Sequence, residues 1–239
     1  MRAAAFSYSD IGGRRENEDT VGYRICESGV VAVVADGLGG QGDGKAASQI
    51  ICDGLLKLGA EEGLPAKEKI IGIFDEANRE LLSKQKNSFH MKTTAVYLCA
   101  AGGRAIWAHI GDSRLYHLYN GELCHYTLDH SASQLAVYMG EITRDEIPAD
   151  AGRSRLLHAM GVEGEHPDLH DAITLEAGKH VFLLCSDGLW EYLSDAEVVK
   201  AWKKTQVPER FLELLRFAKG MRSPDNCDNN SAVVVYIEV

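Results

Sequence analysis

Four carboxylates stand where apolar runs begin or end. VVAVVAD stops at Asp36, AIWAHIGD at Asp112 and VFLLCSD at Asp187, while Asp228 precedes NNSAVVVYIEV. Glu18 and Asp19 lie just upstream of a further run that starts at Thr20. In an antiparallel sheet the end of one strand lies beside the start of its neighbour, so Asp36, Asp187 and Asp228 can share one rim, with Glu18 and Asp19 at the same edge. Clustered carboxylates repel one another and must take up protons unless cations neutralise them. An all-oxygen donor set suits hard divalent ions such as Mn²⁺ or Mg²⁺, and a glycine such as Gly37 leaves its carbonyl uncrowded for use as a ligand. Two ions sharing a water turn it into hydroxide near neutral pH and clamp the oxygens of an in-line displacement at phosphorus. Arg14, four residues before Glu18, offers a fork that fits phosphate oxygens. Taken singly, each segment reads as a turn, a solvated loop or a surface ion pair. The combination and its order point to metal-assisted phosphoryl chemistry.

These residues need a framework that brings strand ends together. Short β-branched runs bounded by turn residues predict strands at about 3–8, 20–26, 30–35, 93–101, 104–110, 113–119, 122–127, 180–186 and 231–238. Gly102-Gly103 and Asn120-Gly121 each join two such runs as tight hairpins. Helical periodicity marks 44–59, through Ala47, Ile50, Ile51, Leu55 and Leu58, and 66–86, through Ile70, Ile73, Phe74, Ala77 and Leu81. Ser194 with Glu197 has the form of a capping box, and 208–219 is a further helix with Phe211, Leu215 and Ala218 inward. Segregated strands and helix pairs predict an α+β fold, not a parallel sheet. The polar stretch 129–170 reads as an inserted flap without strands, helical in pieces at 131–140, 143–147 and 153–159. With no repeat or linker in view, residues 1–239 read as one domain carrying that insertion.

Composition narrows the partners. The 239 residues carry a net charge of −10, which disfavours nucleic acid or an anionic membrane surface. No apolar run is long enough to cross a bilayer, and the N-terminus lacks the apolar core of a signal peptide, so a cytoplasmic protein without membrane insertion is expected. Six scattered cysteines without a C-x-x-C pair read as reduced, mostly buried thiols. His109, His117 and His125 alternate along strands without ligand spacing and read as structural, as do Trp107 and Trp190. Lys203-Lys204 reads as a solvated helix face.

RRENED (14–19), VADGLGG, MKTTA, GDSRLY, LDHS, RLLHAMG, SDGLW and DNNSAVVV, in this order over nearly the whole chain, together resemble the PP2C-type (PPM) metal-dependent protein serine/threonine phosphatases, most of all the compact bacterial members. The resemblance implies a central β-sandwich of two antiparallel sheets flanked by pairs of α-helices, with two Mn²⁺ or Mg²⁺ ions at one end. By position, it implies that Asp36 bridges both ions and the Gly37 carbonyl serves the second. Asp187 and Asp228 hold the first, and Glu18 and Asp19 act around the second through waters. Asp112 matches a residue that binds a third ion together with Asp187 in bacterial relatives. Arg14 takes the substrate phosphate, while Asn229 and Thr94 stand behind the ligands. The flap beside the site influences substrate choice. Expected partners are phosphorylated proteins and a Hanks-type Ser/Thr kinase whose action the enzyme opposes, in settings such as cell-envelope control or type VI secretion. A monomer is expected.

The sequence departs from the family pattern at three places. Leu38 replaces the histidine of many eukaryotic relatives and cannot protonate the leaving alkoxide. Lys92 stands where bacterial relatives often have glycine, and DNNS stands for D-N-x-T. Two rival readings remain: a catalytically silent phosphoprotein-binding module, which the intact Asp36, Asp187 and Asp228 disfavour, and a calcium-binding sandwich, which Arg14 disfavours. The acidic charge also suits a phosphorylated segment with basic flanks.

Overall fold

The computed structural model describes residues 2–38, 43–60, 63–85 and 91–239. Along the chain run β1 (Arg2–Asp10), β2 (Thr20–Ile25), β3 (Gly29–Ala35), β4 (Gly37–Leu38), α1 (Asp43–Leu56), α2 (Lys67–Lys84), β5 (Lys92–Thr93), β6 (Ala95–Ala101), β7 (Arg104–Ile110), β8 (Arg114–Tyr119) and β9 (Glu122–Tyr126). There follow α3 (Ala132–Tyr138), a 3-10 turn at Arg144–Ala149, β10 (Asp168–Leu169), β11 (Ile173–Thr174), β12 (Lys179–Cys185), α4 (Asp187–Trp190), α5 (Asp195–Thr205), α6 (Pro208–Gly220) and β13 (Asn230–Glu238). Gly39 and Gly40 of the VADGLGG segment, and Lys86 at the end of the helix expected over 66–86, lie outside the described residues.

One sheet has the order β1-β13-β12-β8-β9 and the other β10-β7-β6-β3-β2, with β11 also on β7; a small ladder joins β4 to β5. Every pairing is antiparallel. Period-two alternation explains how the layers stack. On β3, Val30, Ala32 and Val34 pack into the space between the sheets, while Val31, Val33 and Ala35 face the opposite way, against Ile51, Leu55, Ile70 and Phe74 of α1 and α2. On β13, Val233 and Val235 point between the sheets, and Ala232 and Val234 pack with Trp202, Phe211 and Leu215 of α5 and α6. Helix pair, sheet, sheet and helix pair are thus four layers, and the central strands read as unbroken apolar runs because both faces are buried. The α+β sandwich expected from sequence is the one observed.

Both predicted hairpins take positive φ at their two turn residues: 57° and 73° at Gly102-Gly103, 49° and 86° at Asn120-Gly121. The Ser194 capping box is formed, with Glu197 reaching back to the Ser194 backbone N–H. The stretch 129–170 differs from expectation twice. It does contain a strand, because β10 pairs its Asp168 and Leu169 with the open edge of β7. Residues 153–159 are not helical: a turn at 151–154 is followed by a piece whose bonds, Ala132 N–H to the Arg155 carbonyl and Leu157 N–H to that of His130, hold residues 155–157 against the start of α3. Among the described residues no helix is long and apolar enough to cross a membrane. All six cysteines are free.

Candidate metal centre

The sheet registers gather the predicted acids at one end of the sandwich. Thr20 pairs with Ala35, so Glu18 and Asp19 before β2 meet Asp36 after β3. Cys185 pairs with Ala232, which sets Asp187 after β12 near Asp228 before β13. Asp112 follows β7 at the same end, where Ala95 pairs with Ile110 and the Thr94 N–H donates to the Asp36 carbonyl. Together they border a cavity of about 660 Å³ that is lined by Arg14, Glu18, Asp36, Gly37, Asp112, Asp187, Asp228 and Asn229. Asp19 lies beneath its floor, 1% exposed, accepting a hydrogen bond of 2.8 Å from Ser186 Oγ.

Electrostatically the rim is under strain. Burial, and then the charges of Asp19, Asp187, Asp112 and Asp228, push the Asp36 carboxyl well above the usual carboxylate range. Burial followed by Asp112, Glu191 and Asp228 does the same to Asp187. Asp112 is pushed up to about 7 by burial and by Asp129, against the pull of Arg114, and Asp19 to about 6 by burial and Asp228. Burial and Glu16 raise Glu18. Metal-free, these groups escape repulsion only by taking up protons.

The residues present fit divalent cations. Buried Glu18 Oε1, Asp19 Oδ1 and Asp187 Oδ1 have no hydrogen-bond partner among the described residues, although they are acceptors sunk in protein. Oxygen donors alone converge there, as hard ions require. The acids spread round the rim and do not converge on one point, since among the described residues the tight three-residue group lies elsewhere. That spread suits two ions with water filling out their shells.

Local hydrogen bonds fix the acids. Thr94 Oγ1 accepts from the Asp36 N–H at 3.0 Å and lies 2.7 Å from Ser113 Oγ, while Thr93 Oγ1 donates to the Asp36 carbonyl at 2.8 Å. The Asn229 side chain is taken up by the 11–18 loop: Oδ1 accepts from Glu18 N–H, and Nδ2 donates to the carbonyls of Ile11 and Glu16. Its own backbone N–H orients Asp228, bonding Oδ1 at 2.8 Å. Trp190 donates to the Asp112 carbonyl at 3.0 Å while the Arg114 guanidinium sits 3.5 Å over its ring, so this anchor bears directly on the rim. Arg114 in turn pairs with Asp129, with both side chains buried. Arg14 reaches Asp228 Oδ2 at 2.6 Å and remains 56% exposed, within reach of the cavity it lines.

Sequence reasoning missed Arg15, Glu16, Ser154 and Leu156, which also line the cavity. The last two come from the extended flap segment mistaken for a helix; RLLHAMG was visible as a motif, but its backbone course was not. Leu38 lines the cavity with its apolar side chain, and Lys92 is its cross-strand partner and not part of the lining.

A family profile described as protein phosphatase 2C matches residues 8–217. Serine/threonine protein phosphatase PstP of Mycobacterium tuberculosis is 33% identical over 219 residues, covering 89% of this chain and 41% of PstP. The chain therefore spans about two fifths of that relative's length. A crystal structure of M. tuberculosis PstP/Ppp superposes with a TM-score of 0.83 at 31% identity, over 99% of both chains. A structure of the PstP catalytic domain in complex with two manganese ions gives a TM-score of 0.82 at 29% identity, again over 99% of both.

Proposed function

This chain belongs to the protein phosphatase 2C family, and from that premise we propose that it hydrolyses phosphoserine and phosphothreonine in proteins, using divalent metal ions held at the acidic rim. The observation that carries the reading is the set of buried, unpartnered carboxylate oxygens on Glu18, Asp19 and Asp187 around the raised Asp36. Their chemistry asks for cations, and a relative that covers the same fold holds two manganese ions. Asp36, Asp187, Asp228, Glu18, Asp19 and the Gly37 carbonyl would hold two Mn²⁺ or Mg²⁺ ions, with Asp112 beside Asp187 for a third. Ions bound there lower the pKa of water and neutralise charge on phosphate oxygens.

The chain's own residues divide the remaining work. Arg14 offers the substrate phosphate two N–H donors; it leaves Asp228 to do so, because a carboxylate engaged with a cation competes poorly for a guanidinium. Thr93 and Thr94 keep the Asp36 main chain fixed, so the ligand oxygen does not wander with bound substrate. Asn229 holds the loop that carries Arg14 and Glu18. Leu38 lines the cavity and donates no proton, so water or another group there must protonate the serine or threonine oxygen. The expected biological setting is opposition to a Ser/Thr protein kinase, acting on its phosphorylated substrates in the cytoplasm. The test is hydrolysis of a phosphothreonine peptide by chelator-treated protein. Release of phosphate only after Mn²⁺ is restored supports the reading; folded, Mn²⁺-loaded protein that releases none from a panel of phosphopeptides overturns it in favour of a silent binding module.

A further inference from the structure

A second group of ligands lies away from the acidic rim. His109, His130 and Asp168 each present one ligand atom, all within 4.8 Å of one another. Nothing in the sequence spacing shows it. The register of β7 with β10 places Asp168 opposite His109, and the turn after β9 lays the His130 ring on that of His109, with centroids 4.7 Å apart. His130 Nε2 stands 3.2 Å from Asp168 Oδ2. Two ligands bound at about 2.1 Å to a tetrahedral zinc ion are separated by roughly 3.4 Å, so this pair already has the spacing of a coordination edge.

The hydrogen-bond partners prepare His109 in the same direction. Its Nε2 lies 2.7 Å from the Leu128 carbonyl; as a donor there, it leaves the lone pair on Nδ1, the arrangement in which a backbone acceptor orients a ligating imidazole. The nearby charges are otherwise engaged: Asp129 with Arg114, His158 with Glu165 and His166 with Asp75. A cavity of about 260 Å³, lined by His130, His158 and Asp168 among others, gives access from solvent and room for a water as fourth ligand.

We propose that His109, His130 and Asp168 form a binding site for a borderline transition-metal cation of the zinc type, separate from the oxygen-lined rim. Two imidazoles and one carboxylate select such an ion over Mg²⁺ or Mn²⁺, which favour oxygen. Binding has a stated consequence for the chain. Ligation through Nε2 of His130 moves that ring's proton from Nε2 to Nδ1, leaving the ring neutral. Nδ1 now accepts from the Gly111 N–H at 3.2 Å, so that amide gives up its acceptor when the ion enters. Gly111 directly precedes Asp112.

The test is a Zn²⁺ titration against a chromogenic chelator, on protein kept in excess Mn²⁺, comparing the native chain with Asp168→Asn and His130→Gln. Asp168 is 74% exposed on its side chain, so its amide variant keeps the fold. The expected result is one Zn²⁺ per chain, with affinity at least tenfold weaker in both variants. Co²⁺ in place of Zn²⁺ gives visible d–d absorption in the native chain that both variants lose, and the Gly111 amide resonance moves on saturation. Equal Zn²⁺ affinity in the native chain and Asp168→Asn overturns the proposal, as does Zn²⁺ bound only to the extent that Mn²⁺ is displaced. Each readout is binding, not turnover, so the outcome is independent of the catalytic reading.

Discussion

Asp36 is surrounded by the charges of Asp19, Asp187, Asp112 and Asp228, and without cations that concentration of charge works against the fold. Asp36→Asn keeps the shape and removes the cost of charging or protonating a buried carboxyl there. It is expected to raise the melting temperature of chelator-treated protein, by roughly 2–4 °C for each kcal/mol relieved in a chain of this size, and to abolish most of the stabilisation that Mn²⁺ gives the native chain. Differential scanning calorimetry with and without Mn²⁺ checks both. The pH dependence follows from the same groups. Asp19 at about 6 and Asp112 at about 7 are both raised from 3.8, so between about pH 4 and pH 7 the metal-free folded protein holds more protons than the unfolded chain. The stability that these two groups contribute is therefore fully present below about pH 4 and lost as the pH rises through 6 to 7. Thermal unfolding of chelator-treated protein is expected to show this fall, and saturating Mn²⁺ to flatten it; a metal-free protein that gains stability over the same interval contradicts the assignment. These acids were legible in sequence because each interrupts an apolar run. His109, His130 and Asp168 were not, because the pairing of β7 with β10 and the turn after β9 are what bring them together.

At the level of elements, β4 and α1 approach so closely at Gly37 that a Cβ there would stand 2.2 Å from the Gly44 carbonyl oxygen and 2.7 Å from that of Glu18. Gly37→Ala must push apart the two segments that carry Asp36 and Glu18. A loss of about 1–3 kcal/mol is expected, together with weaker Mn²⁺ binding, read by denaturant unfolding and by Mn²⁺ titration; unchanged Mn²⁺ affinity would show that the approach has no bearing on the rim. The glycine was visible in sequence as a permissive carbonyl, but the close packing against Gly44 was not. The long central strands were readable because both faces are apolar, and the hairpins because Asn-Gly and Gly-Gly supply positive φ. The two-residue strands β4, β10 and β11 escaped, being too short for any period to register. The polar piece 153–159 is helix-compatible in sequence, yet backbone bonds hold residues 155–157 alongside the start of α3, and Ser154 and Leu156 line the cavity. Tertiary pairing outweighed local propensity there.

Across the whole molecule, a net charge of −10 gives the chain a long-range preference among phosphorylated segments. At low salt, kcat/KM is expected to be higher for a phosphothreonine peptide with lysine flanks than for one with glutamate flanks. The gap should close as ionic strength passes about 0.15 M, where the screening length falls to about 8 Å. Equal values at low salt would remove net charge from the account of substrate choice. The four-layer sandwich exists, on this view, to hold carboxylates from both sheets at one end against their mutual repulsion, and its central claim is that this rim is the catalytic metal centre. The most direct measurement is Mn²⁺ bound per chain and phosphothreonine-peptide turnover, determined on the same samples of native protein and Asp36→Asn across a Mn²⁺ titration. Turnover is expected to rise with rim occupancy in the native chain, and Asp36→Asn to lose tight Mn²⁺ binding and at least a thousandfold in turnover together. Turnover that persists in Asp36→Asn, or that proceeds in the native chain with Mn²⁺ removed, would contradict that claim.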